Sequence, residues 1–256
     1  ALLVAGAVGL GIAGLAIWSV AGPWPFPDLL PTAPSAAVWT RAAPAIGAAF
    51  AASVAIAALS VAAALLLVIG CLEAETRSGR RHGAAALWLL YLPLLAPQVA
   101  FLFGVQTLAA GSGLDGTAAS VALAHLVFVL PYVYLSLSGP WAALDPRYAA
   151  VAATLGAGAG RRLGAVRLPM LLAPVLTAAA VGFAVSIGQY LPTVMIGAGR
   201  VETLTTEAVA LAAGGDRRLI GAWGLAQALA PFLGFALATA VPALVWRNRR
   251  GLRGRA

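Results

Sequence analysis

The sequence runs to 256 residues, of which 62% are hydrophobic and only 9% charged, with a formal net charge of +8. A water-soluble domain of this length carries roughly a quarter charged residues, so the composition excludes an ordinary soluble globular protein and points to a lipid solvent. Every basic residue is an arginine, and the arginines sit in short clusters between long apolar runs. That pattern suits a membrane surface rather than nucleic acid, and no nucleic-acid partner is expected.

A spanning helix needs about 20 mostly apolar residues. Six such runs are predicted as transmembrane helices: 1–20, 44–71, 84–110, 117–139, 169–196 and 219–246, none containing Asp, Glu, Lys or Arg. The fold class is therefore all-α integral membrane. The chain opens at Ala1 inside an apolar run. The expectation is that an N-terminal piece has been removed, or that the chain is one half of a longer fused protein.

The first connection, 21–43, holds Pro23, Pro25, Pro27, Pro31 and Pro34 and cannot be one continuous helix. The second, 72–83, holds Glu73, Glu75, Arg77, Arg80, Arg81 and His82 and reads as a loop. Cys71, the single cysteine, has no internal disulfide partner and reads as a small residue near a helix end. The third connection, Gly111 to Gly116, is short, and 140–168 forms a longer loop. In 197–218, Thr203 to Ala213 predicts a short helix before Gly214 and Gly215.

Twelve arginines fall in the second loop, the fourth loop and the tail, against four (Arg41, Arg200, Arg217, Arg218) in the opposite loops. The positive-inside rule puts the twelve in the cytoplasm, with both termini on that side. Trp18, Trp24, Trp39, Trp88, Trp141 and Trp246 fall near span ends, as interfacial aromatics do.

The fourth loop is the most informative segment. Residues 145–169 read DPRYAAVAATLGAGAGRRLGAVRLP. Asp145 is a good N-cap and Pro146 suits the first helical turn. Gly156 is a natural stop one residue past the helix end. A short helix followed by a sharp turn is expected, with a second helical piece from Arg161 to Arg167. Tyr148, Val151 and Leu155 share one face of the first helix, and such an apolar face needs a partner groove or the lipid headgroups to cover it.

Polar groups inside the spans are few: Gln98 and Gln106, Ser186, Gln189 and Tyr190, and Gln227. They either line a path or bond helix to helix. Gly188 and Pro192 flank Gln189 and Tyr190 and are expected to break the helix there, as at the sites of many transporters. His125 is the one ionisable span residue, read as packed and hydrogen-bonded to backbone rather than as a proton relay. An ion-gradient-driven secondary carrier or channel is the alternative reading. It calls for intramembrane charge or repeated halves, and neither is clear. An intramembrane enzyme would need clustered catalytic or metal-binding residues, whereas His82 and His125 stand apart.

The loop resembles the cytoplasmic motif of ABC importer permeases: Glu-Ala-Ala, three residues, Gly, nine residues, Ile, one residue, Leu-Pro. Ala150, Val151, Ala152, Gly156, Val166, Leu168 and Pro169 fall on that spacing. Ala150 departs from it, standing where the family has Glu. The resemblance covers the six-span layout and is strongest from about residue 140 onward. It looks nearest to permeases of thiamine and iron(III) importers. GQYLPT at 188–193, the run 203–218 and the last span are similar to YnjC-type permeases.

The resemblance implies a type I, MetI-like permease domain over 1–256, with a coupling loop at about 140–168. It implies a bacterial-type inner membrane location and no catalysis by this chain. Tyr148, Ala150, Val151, Ala152, Leu155, Gly156, Arg161, Arg162, Leu168 and Pro169 are the implied ATPase-coupling residues. Ser186, Gln189, Tyr190 and Gln227 are the expected translocation path. The implied partners are a cytoplasmic ATPase dimer, a second permease unit (identical or different), and an external solute-binding protein. ATP and magnesium belong to the ATPase, with no cofactor or metal expected on this chain, which has no lysine to complete a P-loop.

Overall fold

The computed structural model describes residues 2–25, 28–79 and 83–246. Pro27, Arg80, Arg81, His82 and the tail arginines from Arg247 onward lie outside the described residues. Among the described residues every regular element is helical, and the sole strand-like pairing is an isolated bridge between Ala21 and Pro34.

The elements are α1 (Leu2–Ser19), α2 (Ala37–Ser78), α3 (Ala84–Leu95), α4 (Gln98–Gly111), α5 (Ala118–Ala143), α6 (Arg147–Thr154) and α7 (Ala159–Arg162). A π-helical turn, Leu163–Arg167, leads to α8 (Leu168–Met170), α9 (Leu172–Ile187), α10 (Leu191–Gly197), α11 (Leu204–Ala212) and α12 (Arg217–Val245). Four helices, α1, α2, α5 and α12, are each long and apolar enough to cross a bilayer. Two bent pairs raise the total to six when each pair counts as one span.

The predicted third and fifth spans are not straight. Residues 84–110 divide into α3 and α4, bent by 101°. The cause is local: Pro97 has no N–H to continue the helix, and Ala96 before it takes an extended conformation (φ −74°, ψ 147°). The predicted 169–196 span divides twice. The approach Ala159–Met170 meets α9 at 76°, so the span proper opens at Leu172 rather than at Pro169. At its other end, Gly188 to Tyr190 separate α9 from α10, as the flanking Gly188 and Pro192 foretell.

The second span is longer than expected at both ends. Helix α2 has 42 residues and reaches Ser78, so Glu73, Glu75 and Arg77 are helical rather than part of a loop. An ion pair one turn apart, Arg77 Nε to Glu73 Oε1 at 2.7 Å, supports this last stretch. Gly79 ends it with φ 66°. At about 1.5 Å per residue such a helix is about 60 Å long, roughly twice the hydrocarbon thickness, so its ends stand clear of the bilayer core.

Helix α2 is the axis of the bundle. Val61, Ala64, Val68 and Leu72 pack with Val129, Val133 and Leu137 of α5 and Ala178 of α9. Ala49 and Ala57 pack with Ile187, Leu204 and Trp223. Ile56 meets Val121 and Ile196. Apolar side chains add little to helix association in lipid, so close approach and hydrogen bonds carry more of it. Ser60 Oγ donates to the Ala122 carbonyl at 2.8 Å, and the Leu204 N–H donates to Ser53 Oγ at 2.9 Å. Leu3, Leu10, Leu67 and Phe232 face outward as a lipid-contacting surface.

Helix α1 lies against α12, where Gly221 leaves no room for a side chain. A Cβ there would stand 2.5 Å from the Ser19 nitrogen and 2.7 Å from the Trp18 carbonyl carbon. Gly221→Val is therefore expected to force the two helices apart and to lower stability by about 1–3 kcal/mol. The check is a reduced melting temperature of the purified protein in detergent. An unchanged value would show that α1 can shift without cost.

Candidate functional site

The fourth loop folds as a short helix and a closed turn. Asp145 Oδ1 accepts from the Arg147 N–H at 2.9 Å and starts α6. At the other end the Gly156 N–H donates to the Ala153 carbonyl (3.0 Å) and the Ala157 N–H to the Ala152 carbonyl (2.9 Å). That pair of bonds, with Gly156 at φ 79°, is the Schellman closure, which only glycine accommodates without strain.

Helix α6 leaves its apolar face open. Tyr148 is 53% exposed, Val151 59% and Leu155 81%. Ala150 is exposed and Ala152 half-buried, so the alanine row flanks the apolar stripe. Gly156 and Arg161 are exposed, while Arg162, Leu168 and Pro169 are half-buried where the loop returns to the bundle. The expected second helical piece is present as α7, the π-helical turn and α8.

A second cluster lies at the break between α9 and α10. His125 of α5 is 2% exposed. Its Nδ1 lies 2.8 Å from Ser186 Oγ, and its Nε2 lies 2.9 Å from Thr193 Oγ1. The Thr193 hydroxyl donates its proton to the Gln189 carbonyl at 2.7 Å. The imidazole must then donate from Nε2 to Thr193 and accept at Nδ1 from Ser186, which fixes its tautomer. Gln189 Nε2 donates to the His125 carbonyl at 3.3 Å, leaving Gln189 Oε1 buried without a partner among the described residues. Among the described residues the His125 ring thus bonds two side-chain hydroxyls, not backbone as expected. Ser186 and Gln189 join this network; Tyr190 and Gln227 are half-buried and stay outside it.

A third cluster was not anticipated. Glu73, 7% exposed, receives Arg77 at Oε1 and the Arg167 Nη1 donor at Oε2. The Arg167 guanidinium lies 5.9 Å from the centroid of the Trp141 ring. Trp141 Nε1 donates to Thr76 Oγ1 at 3.0 Å. Trp141 is buried here rather than anchored at the lipid interface. The available clue was a carboxylate, Glu73, next to an apolar run with an arginine four residues on.

At the far end of the bundle, Arg200 Nη2 pairs with Asp115 at 2.8 Å and the Gly116 N–H donates to the Ile196 carbonyl at 2.9 Å, fastening the end of α10. Thr203 caps α11 in a reciprocal pair with Thr206, as a helix over 203–213 requires.

Fold and loop together define a class: an all-helical, multi-pass membrane protein with an exposed loop helix between its fourth and fifth spans. No protein-family model matches the chain. It is 44% identical over 167 residues to the inner membrane ABC transporter permease protein YnjC of Escherichia coli, covering 65% of this chain and 32% of that one. It is 35% identical over 150 residues to the molybdenum transport system permease protein ModB of Mycobacterium bovis, covering 54% and 57%. ModB of Azotobacter vinelandii is 31% identical over 167 residues, covering 59% and 73%. The chain belongs to the ABC transporter permease family. It spans about a third of the YnjC protein and somewhat more than half of the mycobacterial one.

Proposed function

We propose that this chain is the membrane-spanning permease subunit of an ABC importer in a bacterial inner membrane, with α6 gripped by a cytoplasmic ATPase dimer. The observation that carries this reading is the uncovered Tyr148–Val151–Leu155 face, held out on a capped and closed helix. A rigid helix with an apolar stripe is built to seat in a groove of another protein. The arginine asymmetry supports placing that loop and both termini in the cytoplasm. ATP and magnesium are then held by the ATPase. A second permease unit, identical or different, completes the path. An external binding protein delivers the solute on the side of α11.

For the solute, the ModB relatives favour a molybdenum oxyanion over thiamine or iron(III). Ser186, Gln189, Tyr190 and Gln227 are assigned to the path: Gln189 and Tyr190 lie in the break between α9 and α10, Ser186 in the last turn of α9, and Gln227 on α12. Both ring nitrogens of His125 are occupied by hydroxyls, which suits packing better than the proton relay of a gradient-driven carrier.

The test is purification of the tagged chain from its native membranes, followed by reconstitution into proteoliposomes. An ATP-hydrolysing chain is expected to co-purify, and radiolabelled molybdate is expected to enter only with ATP. Uptake driven by a proton or sodium gradient, with no ATPase bound, would sink the importer reading.

A further inference from the structure

We propose that Glu73 is a positioning residue that ties the coupling loop to α2, so that a displacement of α6 becomes a movement of that helix. This rests on the reading of α6 as the ATPase grip. Three observations carry it.

First, α6 does not lie flat on the bundle. A cavity of about 500 Å³ separates them, lined by Glu75, Thr76, Trp141, Asp145, Tyr148 and Arg167 among others. Force on α6 then travels through Leu144–Pro146 into α5 and into the returning arm of the loop, whose π-helical turn α6 touches.

Second, that arm is fastened at one charged point. Arg167 ends the π-helical turn, just before the 76° bend into α9. Its guanidinium donates to Glu73 Oε2 and rests against the Trp141 ring. Both members of the pair are largely withdrawn from solvent, with side chains 13% and 9% exposed. A pair so placed is screened little by salt, and separating it would leave a charge without a partner.

Third, the anchor is braced on α2 itself. Arg77 holds the second carboxylate oxygen, one turn along the same helix. Thr76 accepts from Trp141 and donates to the Leu72 carbonyl at 2.7 Å. Glu73, Thr76, Trp141 and Arg167 therefore join α2, α5 and the loop in one knot, and Glu73 is the member that α2 contributes to the loop.

The experiment uses the chain in complex with its ATPase and a spin label on Cys71, which is exposed on α2 two residues before Glu73. A non-hydrolysable ATP analogue is expected to change the label's spectrum in the otherwise unaltered complex. In Glu73→Gln that change is expected to shrink at least tenfold while the ATPase remains bound in normal amount. Glu73→Arg and Arg167→Glu should each behave likewise, and the double reversal should regain at least half of the response. A purely structural pair would lower the yield of complex but leave the response per complex intact, and that result would overturn the proposal. So would a complex whose α2 label ignores nucleotide altogether. Absence of any ATPase from the unaltered preparation would instead remove the importer reading, and this inference with it.

Discussion

Leu155→Asp is expected to strip the ATPase from the purified complex while leaving the chain folded and inserted. Leu155 is 81% exposed and follows directly on α6, so the chain itself loses almost nothing by the change. A partner groove that covers it loses the burial of a leucine, about 1.5–3 kcal/mol. It must also take in a carboxylate without a counter-charge. Together these should weaken the complex at least tenfold, since about 1.4 kcal/mol already corresponds to that factor. The measurement is the amount of ATPase retained on the tagged permease, with Leu155→Met as the shape-preserving control. Full retention by the Asp variant would mean that this face is not the grip.

The second large effect is expected at the broken span. His125→Leu removes a ring that both Ser186 and Thr193 bond. The Thr193 hydroxyl keeps its bond to the Gln189 carbonyl, but Ser186 Oγ loses its partner. A buried polar group left unpaired costs about 1–3 kcal/mol. Thermal unfolding in detergent should show a clear fall in melting temperature. A Ser186→Ala change added to His125→Leu should cost less than it does alone, because its partner is already gone. An unaltered melting temperature, or strict additivity of the two changes, would mean that the cluster does not hold α9 and α10 together.

What could be read from the residues alone was whatever depends on near neighbours. Asp145, the alanine-rich stretch and Gly156 specify a capped helix and its closure within a dozen residues, and the structure has both. Thr203 and Gly214 bracket α11 in the same way. Of the six apolar runs that hydropathy marked, four hold single long helices and two are bent pairs. Pro97 breaks the third run although its flanks stay apolar, so a composition window passes over the bend. Residues 72–78 looked like a loop because they carry charge, yet Glu73 and Arg77 sit at helical spacing and extend α2. The pairs Glu73–Arg167 and His125–Ser186 join residues 94 and 61 positions apart. No local pattern encodes such partners, and only the packing of α2, α5 and α9 brings them together.

The length of α2 has a mechanical corollary. Ser53 receives the first N–H of α11, and Glu73 holds the loop that carries α6. These two attachments lie about 30 Å apart along one rigid rod. Between them, Ser60 grips α5 at the Ala122 carbonyl. A beam held near its midpoint swings its two ends in opposite senses. On the proposed reading of α6, a push delivered at one mouth of the bundle would become a counter-swing beside α11 at the other.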